Sequence, residues 1–263
     1  MKNISKLFLS TVILGSLAAA PVTTFAADGG VYHSNGVIEF VPNDDQTNPV
    51  DPVDPVNPVD PVDPTDPDGK PDPGTKGPLS IDFASSLDFG QQKITSTDQV
   101  YKAAPQLYHL LGEDGKPTGT DKKGPNYVQV TDDRGTETGW TLTLAQDAQF
   151  KSDKNHELKG AEITMKNANI QTASDSPKPT TTATITLVPG DDTNPGAAVT
   201  VMSAAAGQGA GTFLNDWGTD EASGADSIQL AVPGSTTKYA EKYSTKLTWT
   251  LTDVPGNSGT PAP

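Results

Sequence analysis

From Leu79 to Thr252 the chain is cut into short runs in which apolar residues alternate with threonine and other polar residues: LSIDF, NYVQVT, GWTLTLA, AEITMKNANI, TTATITLV, AAVTVM, SIQLAV and TKLTWTLT. A period of two is the signature of a β-strand, whose successive side chains point to opposite faces. Gly, Pro, Asp and Asn cluster between the runs. These residues favour turns: Gly takes positive φ, Pro fixes φ, and Asp or Asn bonds nearby backbone. No ten-residue window keeps a 3.6-residue period, so helices are not expected to build the core. The pattern predicts an all-β chain, an antiparallel β-sandwich or barrel-like single domain.

Two segments precede these runs. VYHSNGVIEFV, residues 31–41, has a turn signal at Ser34-Asn35-Gly36 and then alternates Ile38 and Phe40 with Val37, Glu39 and Val41. It reads as the first strand, with Ile38 and Phe40 expected to enter the same core as the later strands. NPVDPVDPVNPVDPVDPTDP, from Asn48 to Pro67, repeats Pro every third residue. Proline fixes φ and offers no N–H donor, and polyproline II turns once every three residues. The segment 46–77 is therefore expected to be a polyproline II spacer, a long Pro-rich insert after the first strand.

Composition excludes several chemistries. The chain of 263 residues has no cysteine, so it forms no disulfide, thiol nucleophile or cysteine-bound zinc site. Residues 1–26, MKNISKLFLSTVILGSLAAAPVTTFA, have two lysines, an apolar run and small residues, the pattern of a secretory signal peptide. Removing them takes the net charge from −15 to −17 and leaves 27–263 as the mature domain. So acidic a chain is a poor partner for nucleic acid or anionic lipid. No later apolar stretch reaches about 18 residues, so no membrane span is expected. The end, VPGNSGTPAP, carries no LPxTG sorting signal. The expected location is secreted, on the cell surface or in the cell wall.

The motifs of chemistry are weak. His33, His109 and His156 share no metal-ligand spacing, and DPDGKPDPG lacks the distal Glu of a calcium loop. AAAGQGAGTFLNDWG has three spaced glycines but neither a helical pattern nor a basic residue after them, which argues against phosphate binding. It reads as a mobile loop carrying Phe213 and Trp217; Trp217 either packs over a sheet edge or, if exposed, is an interface candidate. No carboxylate pair stands out. No catalytic residue, metal or cofactor is expected, and the chain is read as a non-enzyme.

Two of the three tryptophans lie in the same setting. Trp140, Leu142 and Leu144 share one face of a strand, as do Trp249, Leu251 and Leu247, with threonines opposite. The expectation is that both rings are mainly buried and join the start of the domain to its end. The alternative is that one ring lines a sugar-binding surface. Ahead of Trp140, Asp133, Arg134 and Gly135 read as a turn pinned by an Asp–Arg pair, or else as an arginine clamp for a carboxylate. The paired Trp-x-Leu strands, Tyr243 four residues before Leu247, and VTDDRGTETGW resemble the WxL domain of Gram-positive surface proteins. The resemblance extends to the signal peptide, SNGVIEF and the Pro-rich segment, and so spans nearly all of the mature chain. It implies non-covalent attachment to the cell wall through peptidoglycan and partners among surface proteins encoded alongside, with host extracellular matrix a further candidate partner. The competing reading is an adhesin or assembly subunit whose main contact is another protein.

Overall fold

The computed structural model describes residues 31–256 except 192; the expected signal peptide lies outside the described residues. Among the described residues, seventeen strands follow one another with one short helix between them. The first six are β1 (Val59–Pro61), β2 (Leu79–Ala84), β3 (Gln99–Lys102), β4 (Gln106–Leu111), β5 (Pro117–Gly124) and β6 (Tyr127–Asp132). Next come β7 (Trp140–Gln146), β8 (Lys151–Ser152), β9 (Glu162–Lys166), β10 (Ala168–Gln171), β11 (Thr180–Thr181) and β12 (Thr184–Thr186). The last are β13 (Val199–Ala204), β14 (Gly211–Trp217), the helix α1 (Glu221–Ser227), β15 (Ile228–Val232), β16 (Tyr243–Ser244) and β17 (Leu247–Thr252). All pairings are antiparallel, as the alternating runs require.

Three four-stranded sheets, ordered β10-β14-β6-β2, β11-β13-β7-β17 and β12-β9-β15-β3, turn their apolar faces into one core. Val128, Val130, Phe213 and Trp217 come from the first, Trp140, Leu142, Leu144 and Met202 from the second, and Ile163, Met165, Ile185 and Leu230 from the third. The helix α1 starts with a capping box: Asp220 accepts from the Ser223 N–H while Ser223 Oγ accepts from the Asp220 N–H.

The β6 sheet is covered on its other face too, and this is where the Pro-rich segment goes. Tyr127, Gln129 and Thr131 project to that face opposite Asp216, Leu214 and Thr212. A bulge in β2 between Ile81 and Phe83 inserts Asp82, which accepts from Ser80 (2.6 Å), Gln129 (2.8 Å) and Thr131 (2.6 Å). Val50 packs there against Phe83, Tyr127 and Leu214, and its N–H donates to Gln129 Oε1 at 2.8 Å. Residues 49–61 therefore differ from the expected spacer. They form a Val50–Pro58 bridge and strand β1 against β4, and they bury Asp51, Pro52, Val59 and Pro61. The reason lies in donor accounting. Every third residue brings no N–H, and most of the remaining ones find acceptors: Asp51 N–H to Asn57 O, Val53 N–H to Asp51 Oδ1, Asn57 N–H to Asp54 O and Val59 N–H to Pro49 O. The segment's aspartates act as turn-closing acceptors.

The expected first strand over residues 31–41 does not form. That segment has no ladder, and Val31, Tyr32, Val37, Ile38, Phe40 and Val41 are 76–96% exposed. Alternation alone does not make a strand when no edge pairs with it.

Candidate functional site

The repeat of Trp-Thr-Leu has a direct geometric outcome: the two strands that bear it lie side by side. In the register of β17 on β7, Trp249 stands opposite Leu144, Leu251 opposite Leu142 and Leu247 opposite Gln146. Residues directly opposite in an antiparallel pair share a face, so Trp140, Leu142, Leu144, Trp249 and Leu251 form one apolar surface directed at the core. Trp140 is fully buried, and its indole N–H donates to Gly209 O at 3.0 Å. Trp249 lies on an edge strand and is only partly buried, its ring centroid 6.0 Å from that of Trp217. The difference between the rings is one of position: β7 has strands on both sides, β17 on one.

The glycine-rich stretch is not a mobile display loop. Gly209 has φ of +80°, and a Cβ there would sit 2.6 Å from the Ala204 Cβ and 2.7 Å from the Trp140 Nε1, so the loop is shaped to close over the Trp140 indole. Trp217, the interface candidate, is 1% exposed at the end of β14. The ring packs against the core because the run from Gly211 continues as a seven-residue central strand whose inward face includes Phe213 and Trp217.

Arg134 makes a two-pronged pair with Asp132, the first of the two aspartates ahead of it: Nε reaches Oδ1 at 2.9 Å and Nη2 reaches Oδ2 at 2.8 Å, while Nη2 also donates to Gly139 O at 2.8 Å. Its hydrogen bonds to buried Asp132 raise the guanidinium pKa above its ordinary value. Asp133 instead donates its N–H to Pro78 O at 2.6 Å and accepts from Asn43. Gly135 takes φ of +71°, as the turn demands. The arginine thus fastens the turn to the residue preceding Trp140 and is already engaged on both prongs. Tyr243 pairs with Ser152 across β16 and β8, and its hydroxyl accepts from the Tyr239 N–H at 3.0 Å. The hydroxyl face of the Trp strands is also largely occupied: Thr141, Thr143 and Thr252 donate to the carbonyls of Val254, Thr250 and Thr141.

A layer that sequence reading missed lies under the Pro-rich segment. Asp51, 1% exposed, accepts from the Tyr108 hydroxyl at 2.9 Å and has Lys122 at 3.6 Å. Asp216 is wholly buried with neither oxygen hydrogen-bonded, and the buried Tyr127 hydroxyl is also unbonded. Loss of water, then the nearby Asp51, holds the Asp216 carboxyl well above the usual carboxylate range. Burial likewise raises Asp82. Among the histidines, His109 pairs with Asp121 and His156 with Glu241, whose carboxyl is lowered to about 2 by bonds from His156, Ser152 and Lys154. Among the described residues, no three His, Asp or Glu side chains gather in a metal-holding arrangement, and no helix is long and apolar enough to cross a membrane.

Fold and motif together define a class, an all-β domain centred on two interlocked tryptophan strands. A family model described as WxL domain, surface cell wall-binding, matches residues 27–255, most of the chain. The protein belongs to the WxL family, whose domain binds the cell wall, and its place is the cell surface or cell wall. No curated protein and no solved structure matched the chain.

Proposed function

We propose that the chain holds itself on the wall without a covalent link, by binding peptidoglycan, after residues 1–26 are removed as an export signal. The observation that supports this most is the match to a cell-wall-binding family across residues 27–255. Charge favours peptidoglycan over the anionic wall polymers, because a chain of net −15, or −17 after processing, is repelled by them within a Debye length of about 10 Å. Binding is then expected to tighten as salt rises. The contact lies outside the Trp140 ring, which is buried, and outside Arg134, which is paired.

Sedimentation of the purified chain with protein-stripped wall tests the reading; wild type should pellet alone. Trp140→Ala should cost about 3–5 kcal/mol of stability, as for large aromatics in cores, and lose wall binding together with the fold. Trp249→Ala, at a half-covered edge, should cost less. A Trp140→Ala protein that stays folded and stable yet fails to pellet would move the contact to that ring.

One observation favours a second reading, an assembly subunit that meets another surface protein. The apolar side chains of residues 31–41 are exposed in a single short segment, and contiguous exposed apolar surface marks interaction sites. Pelleting that required a companion surface protein would favour it.

A further inference from the structure

Beside β3 lies a groove of about 530 Å³ lined by Gln91, Gln92, Lys93, Thr95, Gln99 and Tyr101. Small-molecule sites span roughly 300–1,000 Å³. The groove exists because β3 is the edge of its sheet, paired only with β15, and residues 85–98 run past it without regular structure. Gln99 and Tyr101 share the half-buried face of β3, while Val100 and Lys102 point to water. Tyr101 packs against the core, so it forms a firm wall.

Local bonds orient the amides. Gln92 donates to Phe89 O at 2.7 Å and Gln99 to the Thr97 hydroxyl at 2.8 Å, which leaves their side-chain carbonyls as acceptors. Among the described residues, the Gln91 amide, the Lys93 ammonium and the Tyr101 hydroxyl form no bond within the chain. The groove thus collects donors and acceptors not already used by the fold. On the other candidate surfaces fewer are free: Thr141, Thr143 and Thr252 of the Trp strands already donate to backbone carbonyls, and Arg134 is held by Asp132.

We propose that this groove binds the glycan of the wall, a short stretch of N-acetylated amino sugars; the proposal rests on the peptidoglycan reading. Side-chain amides both donate and accept, as do hydroxyls, which suits the acetamido and hydroxyl groups of such sugars. Lys93 supplies a charge for the lactyl carboxylate of muramic units that carry no stem peptide, and the Tyr101 side chain offers an aromatic wall beside the sugar.

The test titrates the full chain with two probes, the N-acetylglucosamine–N-acetylmuramic acid disaccharide and neutral N-acetylglucosamine oligomers, by NMR of glutamine side-chain amides. Both sugars should shift the Gln91 and Gln99 amides. Lys93→Gln should weaken the disaccharide about tenfold, the loss of a charge-assisted bond, and spare the neutral oligomers. Gln91→Ala with Gln99→Ala should weaken both sugars and wall pelleting, with an unchanged melting curve. If wild type and variants pellet alike, the peptidoglycan reading stands and the groove assignment falls. If a free stem peptide shifts these amides and the sugars do not, the occupant is the peptide and the glycan assignment is overturned. If wild type neither pellets nor responds to sugar, both readings fail.

Discussion

Between residues 31 and 41 lie valines, an isoleucine, a tyrosine and a phenylalanine in strand-like alternation, and all of these side chains are exposed. Between residues 49 and 61 lie little but proline, aspartate and valine, and there Asp51, Pro52, Val59 and Pro61 are buried. The contrast teaches that burial follows the supply of a partner surface and of hydrogen-bond acceptors, not hydrophobicity alone. The Pro-rich segment has the outer face of the β6 sheet to cover, with Val50 against Phe83, Tyr127 and Leu214. Most of its few N–H groups are accepted by its own aspartates and carbonyls. The apolar segment forms no strand ladder, and an unpaired strand in water gains neither cross-strand contacts nor backbone bonds.

The strongest way to break this comparison is to replace residues 49–61 by a Gly/Ser stretch of equal length. Phe83, Tyr127 and Leu214 would lose cover, at roughly 1.5–3 kcal/mol for each large side chain. A loss of about 4 kcal/mol or more is expected in a denaturant titration. An unchanged midpoint would restore the spacer reading.

A smaller effect probes the layer beneath that cover. The Asp216 carboxyl pKa is raised in the folded protein, so the native state holds a proton that the unfolded chain releases above its ordinary pKa. Stability should therefore be greatest in acid and decline as pH rises from about 4, the unfolded carboxylate value, through the raised folded one. Asp216→Asn, neutral and of equal shape, should flatten that decline and raise neutral-pH stability by on the order of 1 kcal/mol or more. Melting curves at pH 5 and 8 that fall in parallel for both proteins would show that Asp216 is not the titrating group.

The smallest effect is expected at the exposed segment. Deleting residues 31–41 should shift stability by no more than about 0.5 kcal/mol, the usual range for surface changes. A clear drop in melting temperature would mean that Ile38 and Phe40 do join a core, as the sequence first suggests.

How much of this was legible follows from what is local. Strand alternation is local, so the all-β class and the inward face of Trp140, Leu142 and Leu144 could be read from the chain. The Trp-Thr-Leu repeat, with Arg134 ahead of the first, gave the family. Trp217 could be read either as packed over a sheet edge or as exposed, because its glycine-rich approach reads as a loop, while the strand it ends is defined by partners on β6 and β10, far away in sequence. Arg134 was read as pinning the turn through an Asp–Arg pair without a choice between the two aspartates, and the partner is Asp132, the last residue of β6. The groove beside β3 was invisible: Gln91 and Tyr101 are ten positions apart and share no period.

The sequence by itself determined the periods, the turns, the absence of cysteine chemistry and the acidic charge, since each depends on residues near one another or on their sum. Tertiary structure alone decided which segments found a partner. It laid β17 against β7 so that Leu251 faces Leu142, folded Pro49–Pro61 over a polar layer, and left residues 31–41 unpaired. The physical reason is that a strand's neighbours, and the water they exclude, come from distant parts of the chain.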